Sequence, residues 1–382
     1  MKIAMLGTRG VPARYGGFET AIEEIGKRLA ASGHEVTVYC RGAEDPHQTD
    51  YLGMKLVHLP ALKRRSLETL SHTAVSIAHL LRAPRQDIAI VFNAANTPFL
   101  PALRLRRIPV AVHVDGLEWK RAKWGGAGRR YYRLVESLAV RWADALIADA
   151  QGIADYYEEE FAAATELLAY GAPIQWDAQS DRVEELGLTS RGYHLVVARF
   201  EPENHVEEIV VGYHASSATL PLVIVGSAPY ADDYTARIAA IAERDPRIRM
   251  LGAVWDQDQL DQLYANAATY LHGHSVGGTN PSLLRAMGAA APVIAFDVVF
   301  NREVLGPDGR FFAAPSDLAA LLAAAESNPE EQRVRGNRLR ERATTDYQWD
   351  DVANGYESLI KALDAGVTVR GTASGRRRRR RS

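Results

Sequence analysis

Short apolar runs alternate with helical segments along almost the whole of these 382 residues. KIAMLG (2–7), HEVTVYC, MKLVHL, DIAIVF, PVAVHV, ADALIAD and ELLAYG succeed one another in the first part, and YHLVVARF, PLVIVGS, RIRMLG, ATYLHG and PVIAF in the second. Runs with so little polar alternation are buried on both faces, which is the condition of parallel strands covered by helices. Between the two series, from about 174 to 191, the pattern breaks and DAQSDRVEELGLTSRG reads as a linker. The expected fold class is therefore α/β: two Rossmann-like, doubly wound parallel-sheet domains facing a cleft, where small ligands usually bind. The length suits two domains with full cores. Near the end, YQWDDVANGYESLIKAL (347–363) forms one amphipathic helix with Val352, Tyr356, Leu359, Ile360 and Leu363 on a stripe.

The second series contains the most informative stretch, HGHSVGGTNPSLLRAMGAAAPVIAFD (272–297). A loop with His272 and His274 turns through Gly277 and Gly278, and Thr279 or Asn280 caps a helix whose first turn holds Pro281. A glycine turn feeding a helix N-terminus presents free N–H groups and the positive end of the dipole, which suits an anion such as phosphate. The chain also opens as strand, glycine loop, helix, strand: Gly7, Gly10, Gly16 and Gly17 lie in the loop, and the helix runs from about Glu19 to Ala31. This is a nucleotide-binding arrangement, although no G-x-G-x-x-G occupies the turn. Ligands in such sheets collect at the carboxyl ends of strands, which picks out Asn93, His113, Asp115 and Asp149; Asp149 also suits a helix cap and His113 a plain wall of the site.

The lone Cys40 excludes an internal disulfide framework and a thiolate metal cluster, and points to a reducing cytoplasm. MKIAMLG is too short an apolar run for a signal peptide, and no run of 18 apolar residues is present. Residues 55–133 hold fifteen Lys/Arg against four Asp/Glu, with aromatics interleaved in KRAKWGGAGRRYYR. Six arginines, Arg376–Arg381, close the chain. The expectation is a cytoplasmic protein in peripheral contact with anionic lipid at the inner face of the plasma membrane; nucleic acid is not the expected partner.

GTRGVPARYGGFET, VDGLEWKRAKW, VARFEPEN, HGHSVGGTNPSLL and FNREVLG, in this order, resemble the glycosyltransferase family 4 branch that contains bacterial polysaccharide rhamnosyltransferases. The resemblance runs from Met1 to about Leu363. It implies the GT-B fold, with an acceptor domain over 1–173, a nucleotide-sugar donor domain over 190–346 and a helix at 347–364 crossing back to the first domain; the Arg-rich tail over 365–382 is expected to be disordered from its charge run. It also implies a retaining, metal-independent transfer of a sugar from a nucleoside diphosphate donor to a glycan or lipid-linked oligosaccharide in cell-surface polysaccharide synthesis. No cofactor or metal is expected.

By that resemblance Gly16 and Gly17 approach the donor diphosphate, Arg199 pairs with it, and Gly277, Gly278, Thr279 and Asn280 precede the helix that faces it. Asp115 and Glu118 lie on the acceptor side, where either orients or deprotonates the acceptor hydroxyl; Asp115, directly after a strand, is favoured. Glu303 is placed to accept hydrogen bonds from sugar hydroxyls, or else caps a helix or pairs with a cation. The family's two glutamates fall here on Gly277 and Arg285, and its phosphate-binding lysine is replaced by Glu203, Asn204 and His205. Arg285 follows Pro281 by four residues on the same helix face, and helical side chains lean towards the N-terminus. A cation there opposes the dipole unless an anion shares the site, so Arg285 is expected to supply phosphate charge, its alternatives being solvent or Glu303. Asp256-x-Asp258 copies a metal motif, but its place before Leu260, Leu263 and Tyr264 favours a helix cap. The alternatives to a transferase are a sugar-nucleotide epimerase, disfavoured by the missing acids, and a non-catalytic nucleotide-sugar binder.

Overall fold

The computed structural model describes residues 1–13, 16–42, 48–62, 67–114, 116–121, 124–177, 179–226 and 232–368. Asp115 and the Arg376–Arg381 run lie outside these described residues. The chain divides into two compact units, Met1–Tyr170 with the segment from Trp349 onward, and Gly171–Gln348.

In the first unit the strands are β1 (Lys2–Leu6), β2 (Glu35–Arg41), β3 (Asp50–Tyr51), β4 (Met54–Leu59), β5 (Ile88–Phe92), β6 (Val110–His113), β7 (Ala145–Ala148) and β8 (Glu166–Leu167). They form one sheet in the order β3-β4-β2-β1-β5-β6-β7-β8, parallel except for the β3–β4 pair. IAIVF of β5 is buried throughout, as a run covered on both faces must be. ELLAYG, read as a full strand, contributes only Glu166–Leu167. Its leucine is exposed, so it sits at the edge of the sheet with little to bury.

The Gly17–Ala31 helix buries Ala21, Ile22, Ile25, Gly26 and Leu29, a single stripe at helical spacing. The Trp349–Asp364 helix belongs to this unit and buries the expected stripe of Val352, Tyr356, Leu359, Ile360 and Leu363. Arg28 Nε donates to Asp350 Oδ1 at 2.6 Å, and His34 Nε2 lies 3.2 Å from Glu357 Oε1. Gly355 lets Leu168 pack close against this helix, where a Cβ would meet Leu168 Cδ2 at 2.5 Å and displace it.

The second unit has strands β9 (His194–Val197), β10 (Leu222–Val225), β11 (Ile248–Gly252), β12 (Thr269–His272), β13 (Val293–Phe296) and β14 (Arg310–Phe312), all parallel, in the order β11-β10-β9-β12-β13-β14. β14 was not anticipated; RFF is too short to stand out from its polar flanks. The stretch read as a linker includes a short helix, Asp181–Glu185, and is docked rather than free. Val183 is fully buried, and the Arg182 amide donates to Gln262 Oε1 at 2.9 Å.

Candidate active site

Both sheets reverse direction of growth once. In the second unit β9 lies beside β12, so the chain winds outward one way through β10 and β11 and the other way through β13 and β14. Loops leaving adjacent strands at such a point diverge and leave a crevice at their carboxyl ends. Arg199 lies two residues beyond β9, and Gly277–Asn280 lie in the loop beyond β12, so both expected donor elements sit at this one point.

The two loops are locked together by backbone contact. A Cβ on Gly273 would fall 2.0 Å from the Asn204 carbonyl oxygen, so only glycine fits. Asn204 Nδ2 donates to the Arg199 carbonyl at 2.8 Å, and Ser275 donates to the Glu203 carbonyl from its amide (2.9 Å) and its hydroxyl (3.0 Å). His205 stacks on Phe296 with ring centroids 3.8 Å apart and lies 3.0 Å from Ser275 Oγ. Asn301 Nδ2 donates to the His274 and Phe296 carbonyls, both at 2.9 Å. His205 and Asn301 are thus framing residues whose part was not legible in the sequence, because their partners are distant in the chain.

Asn280, rather than Thr279, caps the Pro281–Gly288 helix: its Oδ1 accepts from the Ser282 amide (3.0 Å) and hydroxyl (2.8 Å). Tyr270 OH donates to Ser282 Oγ at 3.0 Å from below. Gly277 has φ 134°, a conformation that admits glycine and little else. Thr279 is buried. Arg199 is partly exposed, with one guanidinium nitrogen 3.8 Å from Glu201. Arg285 is engaged by the neighbouring Gln257–Ala265 helix, with Nε 3.4 Å from Asp261 and an Nη–H donating to Gln257 Oε1 at 3.0 Å. Burial raises the Asp261 pKa, and Arg285 opposes that rise. Glu303 is carried by the Val299–Leu305 helix after β13, and its carbonyl accepts from Arg342 at 3.1 Å. Asp256 is a helix cap, its Oδ1 accepting from the Asp258 and Gln259 amides.

The first unit repeats the plan, with β1 beside β5 at its reversal. Gly7, at φ 105°, brings the end of β1 against the end of β5; a Cβ would meet the Phe92 carbonyl at 2.2 Å. Gly16, at φ 113°, is the N-cap of the Gly17–Ala31 helix, so both expected glycines stand at that helix start. Glu19 follows them, accepting from the Arg9 amide at 3.1 Å, with its pKa raised by burial. Asn93 serves the chain itself, capping the turn that follows β5 by accepting from the Ala95 amide at 2.8 Å.

Glu118 is buried and held: Arg121 Nε lies 2.5 Å from one carboxylate oxygen, and Trp124 Nε1 donates to the other at 3.3 Å. A carboxylate so clamped orients its loop more readily than it accepts a proton. Asp115 lies outside the described residues. His113, which the sequence reading set aside as wall, ends β6 at 0% exposure, and neither ring nitrogen makes a well-formed hydrogen bond, the approach to the Val114 backbone being a weak one. Its ring stacks between Phe92 (5.5 Å) and Tyr170 (5.9 Å), and Phe18 meets it edge-on at 5.1 Å. Burial pushes its pKa down to about 3, so it is neutral and offers one donor and one acceptor. Buried polar atoms are nearly always paired, so an imidazole left this way at the carboxyl end of a strand is an exception.

A family model described as "Glycosyl transferases group 1" matches residues 193–327, and one described as a domain of unknown function (DUF1972) matches residues 1–173. The chain is similar to O-antigen chain mannosyltransferase B of Escherichia coli, 29% identical over 145 residues, which is 37% of this chain and only 38% of that protein's length. It is similar to the glycogen synthase of Mycobacterium tuberculosis, 24% identical over 96% of each chain. Among solved structures, sucrose-phosphate synthase from Thermosynechococcus elongatus superposes with a TM-score of 0.82 at 19% identity, over 95% of this chain and 99% of that one. Anabaena HepE in complex with UDP superposes at 0.75 with 16% identity, over 95% and 100%. The sheet topology and the superpositions give the chain the GT-B fold, and the match to the group 1 model together with the mannosyltransferase and glycogen synthase relatives makes it a glycosyltransferase.

Proposed function

We propose that this glycosyltransferase is a retaining, metal-independent enzyme of the family 4 type. It moves a sugar, rhamnose by its resemblance, from a nucleoside diphosphate donor to a glycan or lipid-linked oligosaccharide in cell-surface polysaccharide synthesis. The observation that supports the reading is that the loop carrying Arg199 and the loop leading to the Asn280-capped helix leave adjacent strands at the β9/β12 reversal. A guanidinium on one such loop and a helix N-terminus after the other suit a diphosphate. There they stabilise the charge that builds on the leaving nucleotide as the glycosidic bond breaks, and preorganised electrostatics of this kind is often the largest catalytic term. HepE was solved with UDP and with UDP-glucose, which supports a nucleotide-sugar donor.

Gly16 and Gly17 contribute close backbone approach to the same donor, Glu303 accepts from sugar hydroxyls, and Arg285 adds phosphate charge when it exchanges Asp261 for the donor. His113 exchanges hydrogen bonds with a sugar hydroxyl. Asp115 is the acceptor-side base, with Glu118 holding the adjoining loop. The enzyme works in the cytoplasm at the inner face of the plasma membrane. No described helix is long and apolar enough to cross a membrane.

The test is release of nucleoside diphosphate from a panel of dTDP-, UDP- and GDP-sugars, in EDTA, with membrane lipid extract as acceptor. Turnover of one donor with retained anomeric configuration is expected. Donor binding without release points to a non-catalytic binder, and loss of turnover in EDTA overturns metal independence.

A further inference from the structure

We propose that the outward face of the Gly126–Trp142 helix is the surface by which this protein docks on an anionic bilayer. The helix is sharply two-sided. Tyr132, Val135, Glu136, Ala139 and Val140 turn inward, and Tyr132 and Val135 pack with Ala94 and Ala95. Arg130, Leu134 and Arg141 recur at helical spacing on the opposite side, flanked by Arg129 and Arg133, and all five are exposed. The arginines from 129 to 141 span about 18 Å along the axis.

Charge on this face is of one sign. The helix has a single acidic residue, Glu136, and it is buried and accepts from Tyr156 OH at 2.8 Å. Among the described residues no carboxylate pairs with any of the four arginines, whereas neighbouring Arg121 is taken by Glu118. Four unneutralised guanidinium groups on one face repel one another and gain from a dense array of phosphates.

Two further features favour a bilayer over another polyanion. Leu134 is 56% exposed in the middle of the arginines, where an apolar side chain gains nothing from water or from a sugar-phosphate backbone but gains from the acyl boundary. Trp119 adjoins the same face: the Arg133 guanidinium lies 4.9 Å from its ring centroid, and the Lys120 ammonium 5.6 Å. An indole ringed by cations suits the headgroup layer.

The inference extends the membrane part of the proposed function and is separable from its chemistry. In the full chain, Arg129→Gln, Arg130→Gln and Arg133→Gln are combined, and binding to phosphatidylglycerol-containing vesicles is compared with binding to phosphatidylcholine vesicles by flotation. Each arginine is worth roughly fivefold in partition at an anionic surface, so the triple variant should bind on the order of 100-fold more weakly. Parent binding should fall with salt. Leu134→Gln should weaken vesicle binding and leave binding to a single-stranded oligonucleotide unchanged. A second full-length variant with Arg376–Arg381 replaced by serine separates the tail from the helix. The proposal is overturned if the triple variant binds as the parent does while the tail variant does not. It is equally overturned if Leu134→Gln affects neither ligand, or if phosphatidylcholine serves as well. Because none of the three arginines is a proposed site residue, thermal stability and donor hydrolysis should be unchanged in the triple variant. Loss of hydrolysis in the parent would instead count against the transferase reading.

Discussion

Replacing His113 with phenylalanine separates what the residue does for the fold from what it does for a ligand. The imidazole is fully buried and neither nitrogen makes a well-formed hydrogen bond, an arrangement that costs about 1–3 kcal/mol of stability. Phenylalanine keeps a ring between Phe92 and Tyr170 without polar atoms, and its slightly larger size gives back about 1 kcal/mol at most. The variant should therefore be as stable as the parent at pH 7.5, or up to about 3 kcal/mol more stable. Acid enlarges the difference. The unfolded chain binds a proton at His113 near pH 6.5, whereas the native imidazole resists protonation down to about pH 3. This folded pKa is depressed, so the associated stability is full above pH 6.5 and is lost as pH falls from there towards 3. At pH 5 the parent has lost about 2 kcal/mol that the variant keeps. His72 and His272 are likewise depressed by burial, to about 4 and about 3, but contribute equally to both proteins. Urea unfolding at pH 7.5 and 5.0 measures the difference, and sugar transfer on the same preparations should fall at least tenfold. Equal stability differences at the two pH values would refute the assignment of a neutral buried imidazole. Unchanged transfer would refute its role towards the sugar.

Other outcomes follow from the same structure. Arg199→Ala should lower turnover by roughly 100-fold or more with little change in fold, read as kcat with the identified donor. Arg285→Ala should weaken donor binding by about tenfold in isothermal titration, while Asp261→Asn, which frees the guanidinium, should not; unchanged affinity in Arg285→Ala removes it from the donor site. Asn280→Ala should cost about 1 kcal/mol of unfolding free energy through loss of the cap to Ser282, and should also raise the donor KM. Glu326→Gln should flatten the acid limb of stability. Burial would raise the Glu326 pKa, but hydrogen bonds from His194, Thr219 and Leu220 prevail and hold it at about 2, so its contribution is present above about pH 4.5 and fades towards 2.

The strands were legible because both faces of each are covered, which writes an unbroken apolar run such as IAIVF or VIAF into the chain. β14 and the Asp181–Glu185 helix were not, because three and five residues carry too little pattern to be told from a loop. At the site, residues defined by backbone geometry were readable: Gly16 and Gly277 announce left-handed turns, and Asn280 followed by proline announces a helix start. Residues defined by distant partners were not. Arg285 turns to Asp261 rather than to Glu303, a preference that depends on how two helices are placed. His113 could not be distinguished from a satisfied core histidine until the lack of polar partners around its ring was visible.

The return of the Trp349–Asp364 helix to the first unit makes that unit discontinuous in the chain, whereas the second is contiguous. Synthesis therefore delivers the two in an order opposite to their numbering. The second unit has all its strands by residue 312, while the first, with its sheet complete by residue 167, still lacks the helix that holds Arg28 and His34 and covers Leu168. Until the ribosome has added the last buried residues, through Leu363, an apolar strip on the oldest part of the chain stays open to water and to other nascent chains. A chaperone that acts on this protein has its longest opportunity there.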